Sequence, residues 1–179
     1  MAFIRVKTRT NKSGNKYSYA YLVQNKHRKK GTKQTIKHYL GRIYHHKKET
    51  NQTLKDFLNI KHIKDYFNKN NTKKIILDII KLELSKHNFK NIKQNTWNKE
   101  ESFIDLNNFN VYDQNKRSIC LAFNDGVLTN YTLKKLHNSK HKKDSEIETG
   151  KDLANNLIST GISIEKEIFV RLVQKIQNQ

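Results

Sequence analysis

Between residues 2 and 42 the chain alternates with a period of two. Ile4, Val6 and Thr8 interleave with Arg5, Lys7 and Arg9; Tyr17, Tyr19 and Tyr21 interleave with Ser18, Ala20 and Leu22; Ile36, His38 and Leu40 interleave with Lys37 and Tyr39. Such a period sends alternate side chains to opposite faces of a strand and is incompatible with one apolar stripe on a helix. Polar stretches around Gly14 and up to Gly31 separate the runs and read as turns. The spacing therefore predicts a three-stranded antiparallel meander. One face carries Ile4, Val6, Ala20, Leu22, Ile36 and Leu40. The other carries Arg5, Lys7, Arg9, Tyr17, Tyr19, Tyr21, Lys37 and Tyr39, cations beside rings, which suits phosphates and exposed bases.

Charge sharpens that reading. The formal net charge is +20, far above what solubility needs, and it points to a polyanionic partner. A very AT-rich gene would also inflate lysine, but evenly. Here the first fifty residues hold fourteen Lys and Arg against Glu49 alone, a net of +13. Residues 51–100 carry +6 and residues 101–179 only +1. Four of the six arginines, Arg5, Arg9, Arg28 and Arg42, fall in the first fifty. Lys26, Arg28, Lys29 and Lys30 crowd the second turn, with Lys33 just beyond it. Like charges this close call for an anion between them. These five residues and Arg42 join the eight of the sheet face as candidate nucleic-acid contacts.

The run Tyr19-Ala20-Tyr21-Leu22-Val23, the basic loop, and Ile36-Lys37-His38-Tyr39-Leu40-Gly41-Arg42 together resemble the basic N-terminal segment of DDE insertion-sequence transposases. The resemblance covers about a quarter of the chain and implies a nucleic-acid-contacting role for that segment. No ribonuclease-H-like core or carboxylate triad follows it, so catalysis is not carried over. The second half, Cys120 to Ile176, is similar to small archaeal proteins that pair such an N-terminus with a short helical C-terminus.

Downstream, residues 43–53 read as a polar connection in which His45 and His46 are surface residues. Leu54 to Phe67 follows helical spacing behind Thr53 as N-cap, and Thr72 caps a second helix reaching about His87. These two helices are expected to cover the apolar side of the meander, leaving its basic side in solvent. Residues 88–101 have little periodicity and read as a link between two domains, 1–90 and 102–179, with Trp97 an anchor. A β-hairpin is expected over 102–123. Helices should follow from Thr129, over 152–159 and over 164–176, with Gly161 and Ser163 as caps. Glu165 and Glu167 would repel phosphate where a recognition helix docks, so the last two helices read as a packing or homo-oligomerisation unit. The fold class is α+β: a basic three-stranded sheet covered by helices, then a small hairpin and a helical unit.

Catalytic patterns are few. There is no phosphate-binding glycine loop, nucleophile elbow or zinc-metalloprotease motif, and Cys120 is the single cysteine. Asp105, Asp113 and Asp125 are the candidates for a magnesium nuclease site, and His137 with His141 for a metal pair; turn chemistry and surrounding lysines argue against both. The expectation is a non-enzymatic binder without cofactor or metal, and the absence of a signal-peptide or membrane-spanning pattern places it in the cytoplasm. DNA is favoured over RNA, because a sheet with a basic loop can enter a major groove. An RNA- or ribosome-associated factor, and an adaptor acting through the C-terminal half, are the alternatives.

Overall fold

β1 (Ala2–Thr10), β2 (Lys16–Arg28) and β3 (Gly31–His45) form the expected meander in the computed structural model, which describes residues 2–28, 31–140 and 144–178. The sheet does not stop there. β8 (Ile119–Phe123) pairs in parallel with the end of β3, Arg42 opposite Ile119 through His45 opposite Ala122, and β9 (Gly126–Leu128) pairs antiparallel with β8. The sheet is thus five-stranded and mixed, in the order β1-β2-β3-β8-β9, with two strands from the stretch 102–179. This corrects the three-stranded N-terminal sheet. The reason lies in the length of β3: it runs past its pairing with β2, and Ile43 and Tyr44 continue the strand toward the interior. Gly41 admits the new neighbour. A Cβ there would stand 2.6 Å from the Ser118 carbonyl oxygen, and its φ of +142° is rare for any other residue.

Residues 88–101 are not a link. They form β4 (Lys90–Lys93) and β5 (Thr96–Lys99), the first half of a four-stranded antiparallel sheet completed by β6 (Ser102–Asp105) and β7 (Asn110–Asp113). Four-residue strands are too short to show a clear period, and their tight turns use Asn95, Glu100 and Phe109 at positive φ where no glycine marks them.

The helices are α1 (Leu54–Leu58), α2 (Ile63–Lys69), α3 (Thr72–Lys86), α4 (Asn130–His137), α5 (Glu146–Thr160) and α6 (Lys166–Gln177). Thr53 caps α1 by accepting from the Asp56 amide, and Asn59 in the left-handed conformation ends it, so 54–67 is two helices and not one. Thr129 and Thr132 form a capping box on α4, and Ser145 starts α5 earlier than its apolar spacing suggests. Where α5 ends, Gly161 meets the β8–β9 turn backbone to backbone: a Cβ on Gly126 would lie 2.1 Å from the Gly161 nitrogen.

One large core joins both sheets to all six helices, with Ile119, Leu121, Phe123 and Leu128 from the mixed sheet and Trp97, Ile104 and Val111 from the other. Register places Ile119 and Leu121 beside Arg42 and Tyr44. The helices therefore pack on the β8–β9 part of the sheet, on the tyrosine side, and not over the apolar side of β1 and β2 as expected. On that apolar side Ala20, Ile43 and Cys120 form a second, small cluster with Ile4, Leu40, Ala122 and Val127. Among the described residues no helix is long and apolar enough to cross a membrane.

A buried polar network pins α3 to this core. The Glu83 carboxylate, 1 % exposed, accepts from Asn124 Nδ2 at 2.9 Å and from Ser163 Oγ at 3.1 Å. Lys86 Nζ lies 3.6 Å away and His87 Nε2 3.3 Å away. The His87 ring stacks on Phe123, 4.1 Å between centroids. Burial pushes the His87 pKa down to about 4, with Glu83 opposing, and burial lowers His46 as well. A histidine depressed in the folded state contributes stability that is complete above its unfolded value near 6.5 and is lost as pH falls toward the folded value. We expect urea unfolding to register a loss of about 2 kcal/mol between pH 6.5 and 5. His87→Gln should flatten that slope; an unchanged slope would assign the acid sensitivity elsewhere.

Candidate nucleic-acid interface

The β1–β2 register sets Arg5 opposite Tyr21, Lys7 opposite Tyr19 and Arg9 opposite Tyr17. Across β2, Tyr21 faces Tyr39 and Tyr19 faces Arg42. One face thus gathers Arg5, Lys7, Arg9, Tyr17, Tyr19, Tyr21, Tyr39 and Arg42. The cations lie over the rings: Lys7 Nζ is 5.4 Å from the centre of Tyr21, and the Arg9 guanidinium is 6.0 Å from that of Tyr19. Arg42 sits between Tyr17 at 4.2 Å and Tyr44 at 5.1 Å. Tyr39 leans on Tyr21 and Tyr19, with centroids 5.5 and 6.3 Å apart. Each cation–ring contact is worth about 0.5–1 kcal/mol at an exposed site. Their larger effect is to hold long side chains in place before any ligand arrives, which lowers the ordering cost of binding.

The face has no carboxylate of its own, since Glu49 is the first acidic residue in the chain. Arg5 donates instead to the Gln34 side chain, which in turn donates to Asn25. Tyr39 is 58 % exposed, and burial together with Tyr19 and Tyr21 raises its pKa, so it stands as a neutral hydroxyl at the surface. Cys120 lies behind the sheet in the small cluster, its thiol pushed by burial up to about 12 and kept unreactive.

Several expected positions fall elsewhere. β3 carries an extra residue between Gly41 and Tyr39 and another between His38 and Ile36. The second of these bulges takes Lys37 out of the pairing and moves Ile36 opposite Val23, on the tyrosine side and half exposed. Val6, expected to be inward, is also exposed. Lys26 and Lys33 sit opposite each other, but on the face away from the tyrosines. Arg28 closes the β2–β3 pairing opposite Gly31, and Lys29 and Lys30 lie outside the described residues. Reading the sequence as three separate strands missed Tyr44 and Gln34, although Arg42-Ile43-Tyr44 continues the alternation.

β1 begins opposite Gln24, so among the described residues Asn25 to Arg28 and Gly31 to Gln34 pair only with each other. The result is a bare two-stranded ribbon. Like charges directly opposite, as at Lys26 and Lys33, destabilise a hairpin unless an anion neutralises them.

The three aspartates do not converge. Asp105 accepts from the Asn107 and Asn108 amides in its own turn, whereas Asp113, on the other face of its sheet, accepts from Asn115, Arg117 and the Arg117 side chain. Asp125 belongs to the β8–β9 turn. Among the described residues no three His, Cys, Asp or Glu side chains are grouped to hold a metal ion. His141 lies outside the described residues, while His46 packs edge-on against Phe89 and shares a hydrogen bond with Ser102 rather than facing solvent. Comparison with known proteins gives no relative: no family model, curated protein or solved structure matches the chain.

Proposed function

We propose that this is a nucleic-acid-binding protein that grips duplex DNA through the cation–tyrosine face of β1–β3 and the ribbon beyond it. The observation that carries the reading is the row Lys7, Arg9 and Arg42 held over tyrosine rings, with Arg5 fixed beside them by Gln34, on strands that contain no carboxylate. Arginines and lysines fixed in this way suit a phosphate backbone, and tyrosine hydroxyls among them can donate to phosphate or sugar oxygens. A two-stranded ribbon fits a major groove about 12 Å wide, and the opposed Lys26 and Lys33 would then stand between two phosphate rows. The place of action on this reading is the cytoplasm, and no chemistry is assigned to the site.

A single-stranded target is the second reading, favoured by the exposure of Tyr39, whose ring is open to stacking. Titrating a labelled 20-base-pair duplex and either of its strands at several salt concentrations separates the two. For duplex binding through six described cations, log K should fall against log salt with a slope of roughly −5. Tyr39→Ala should then leave duplex affinity within about threefold. A loss of about 1–3 kcal/mol on the single strand, with weaker duplex binding throughout, would move the assignment to unpaired bases. A slope near zero on both would sink the reading.

A further inference from the structure

The four-stranded sheet carries a second surface built of rings and cations. Along one row, Lys90 on β4 lies opposite Asn98 on β5, Asn98 opposite Phe103 on β6, and Phe103 opposite Tyr112 on β7. The alternate row, Trp97, Ile104 and Val111, is in the core, so this one faces outward. The Phe103 and Tyr112 rings are stacked, 5.6 Å between centroids and 7° from parallel. Lys116, held in the β7–β8 turn, places its ammonium 4.3 Å from the centre of Tyr112. The order across the sheet is therefore cation, ring, ring, small amide, cation, spanning roughly 14 Å at the usual strand spacing.

Neither Phe103 nor Tyr112 belongs to a core cluster, and both are half-buried. The side chain beside Phe103 is the Asn98 amide, which folds away to donate to the carbonyls of Glu100 and Ser102. That leaves the outer side of the Phe103 ring facing an asparagine where the next aromatic of the stack would sit. Carboxylates bound the row rather than enter it. Asp105, one row away, is engaged by Asn107 and Asn108, and Glu100 and Glu101 occupy the β5–β6 turn at the sheet's end. A polyanion following the row meets Lys90 and Lys116; one following the strands meets the glutamates.

We propose that this row is a second nucleic-acid site, which takes an unpaired base on Phe103 beside Asn98 and the flanking phosphates on Lys90 and Lys116. The site is independent of the cation–tyrosine face, and its occupant is a short single strand running across the strands of the sheet. Stacking of this kind accepts any base, because every base has a π-face.

The test uses the full chain and a hexathymidine probe. Ultraviolet crosslinking followed by peptide mapping should place the adduct on Phe103 or Tyr112, and it should persist in the Tyr39→Ala, Arg42→Gln variant, where the first site is impaired. Phe103→Leu keeps an apolar side chain under the stack while removing the aromatic face, and should reduce hexathymidine binding in that background by tenfold or more. Lys116→Gln should reduce it a few-fold and lessen its salt dependence. Thermal melts establish that each variant is folded; if Phe103→Leu unfolds the chain, Lys116→Gln and the adduct position decide. Adducts confined to residues 2–45, or binding untouched by Lys116→Gln and Phe103→Leu, would overturn the site while leaving the first interface standing.

Discussion

Replacing Glu83 with alanine should cost about 3–5 kcal/mol of folding stability, the range for removing one partner of a buried ion pair. The carboxylate is the acceptor on which three segments converge: Asn124 from the β8–β9 turn, Ser163 from the α5–α6 connection, and Lys86 with His87 from the end of α3. Its loss leaves the buried Lys86 ammonium without a counter-charge and the Ser163 amide without its acceptor. Asn124 keeps only the Gly161 carbonyl, 2.7 Å away. Glu83→Gln retains volume and acceptor but not charge, and should cost less, about 1–3 kcal/mol. Urea unfolding with an unchanged m-value measures both. A loss below 1 kcal/mol for the alanine variant would mean that the network is ornamental, and that apolar packing alone fixes α3.

The contrast between what could and could not be read in the chain has a physical basis. Alternation in β1 and β2 was legible because both strands are long and each pairs without interruption: Arg5, Lys7 and Arg9 fall opposite Tyr21, Tyr19 and Tyr17 as a period of two requires. β3 was legible only in part. Its two bulges change which residues share a face, so Ile36 crossed to the tyrosine side, and no local property of Lys37 or Leu40 announces an extra residue. Its pairing with β8 depends on residues about 77 positions away, and no neighbouring sequence encodes that choice. The four-stranded sheet was hidden for another reason. KNIK and TWNK look like loop because most of their side chains are polar, and Trp97, Ile104 and Val111 reveal a common face only when three strands are aligned. Phe103 and Tyr112 become neighbours by that same alignment. Nine residues apart in sequence, neither suggests the other.

The sharpest expected loss of binding follows from removing the fixed cations together. In a chain with Arg5, Lys7, Arg9 and Arg42 all replaced by glutamine, four phosphate contacts disappear while an uncharged polar side chain remains at each position. The slope of log K against log salt on duplex DNA should become less negative by roughly 3 to 4, at about 0.9 for each phosphate. At about 0.1 M salt, counterion release of that size corresponds to an affinity loss on the order of 10³-fold or more, about 4 kcal/mol or more. The comparison is Lys134→Gln with Lys135→Gln, two exposed lysines in the last turn of α4, on the nearly neutral part of the chain. Codon-driven lysine would make position irrelevant, so that any group of removed cations weakened binding in proportion to its number. The arrangement over tyrosine predicts otherwise: the α4 pair, which belongs to no strand of that face, should change affinity by less than about threefold. Thermal melting of the fourfold variant within a few degrees of the parent confirms that the sheet survives. Equal loss per charge in the two variants would remove β1–β3 as the interface and leave only the net charge of the chain to explain binding.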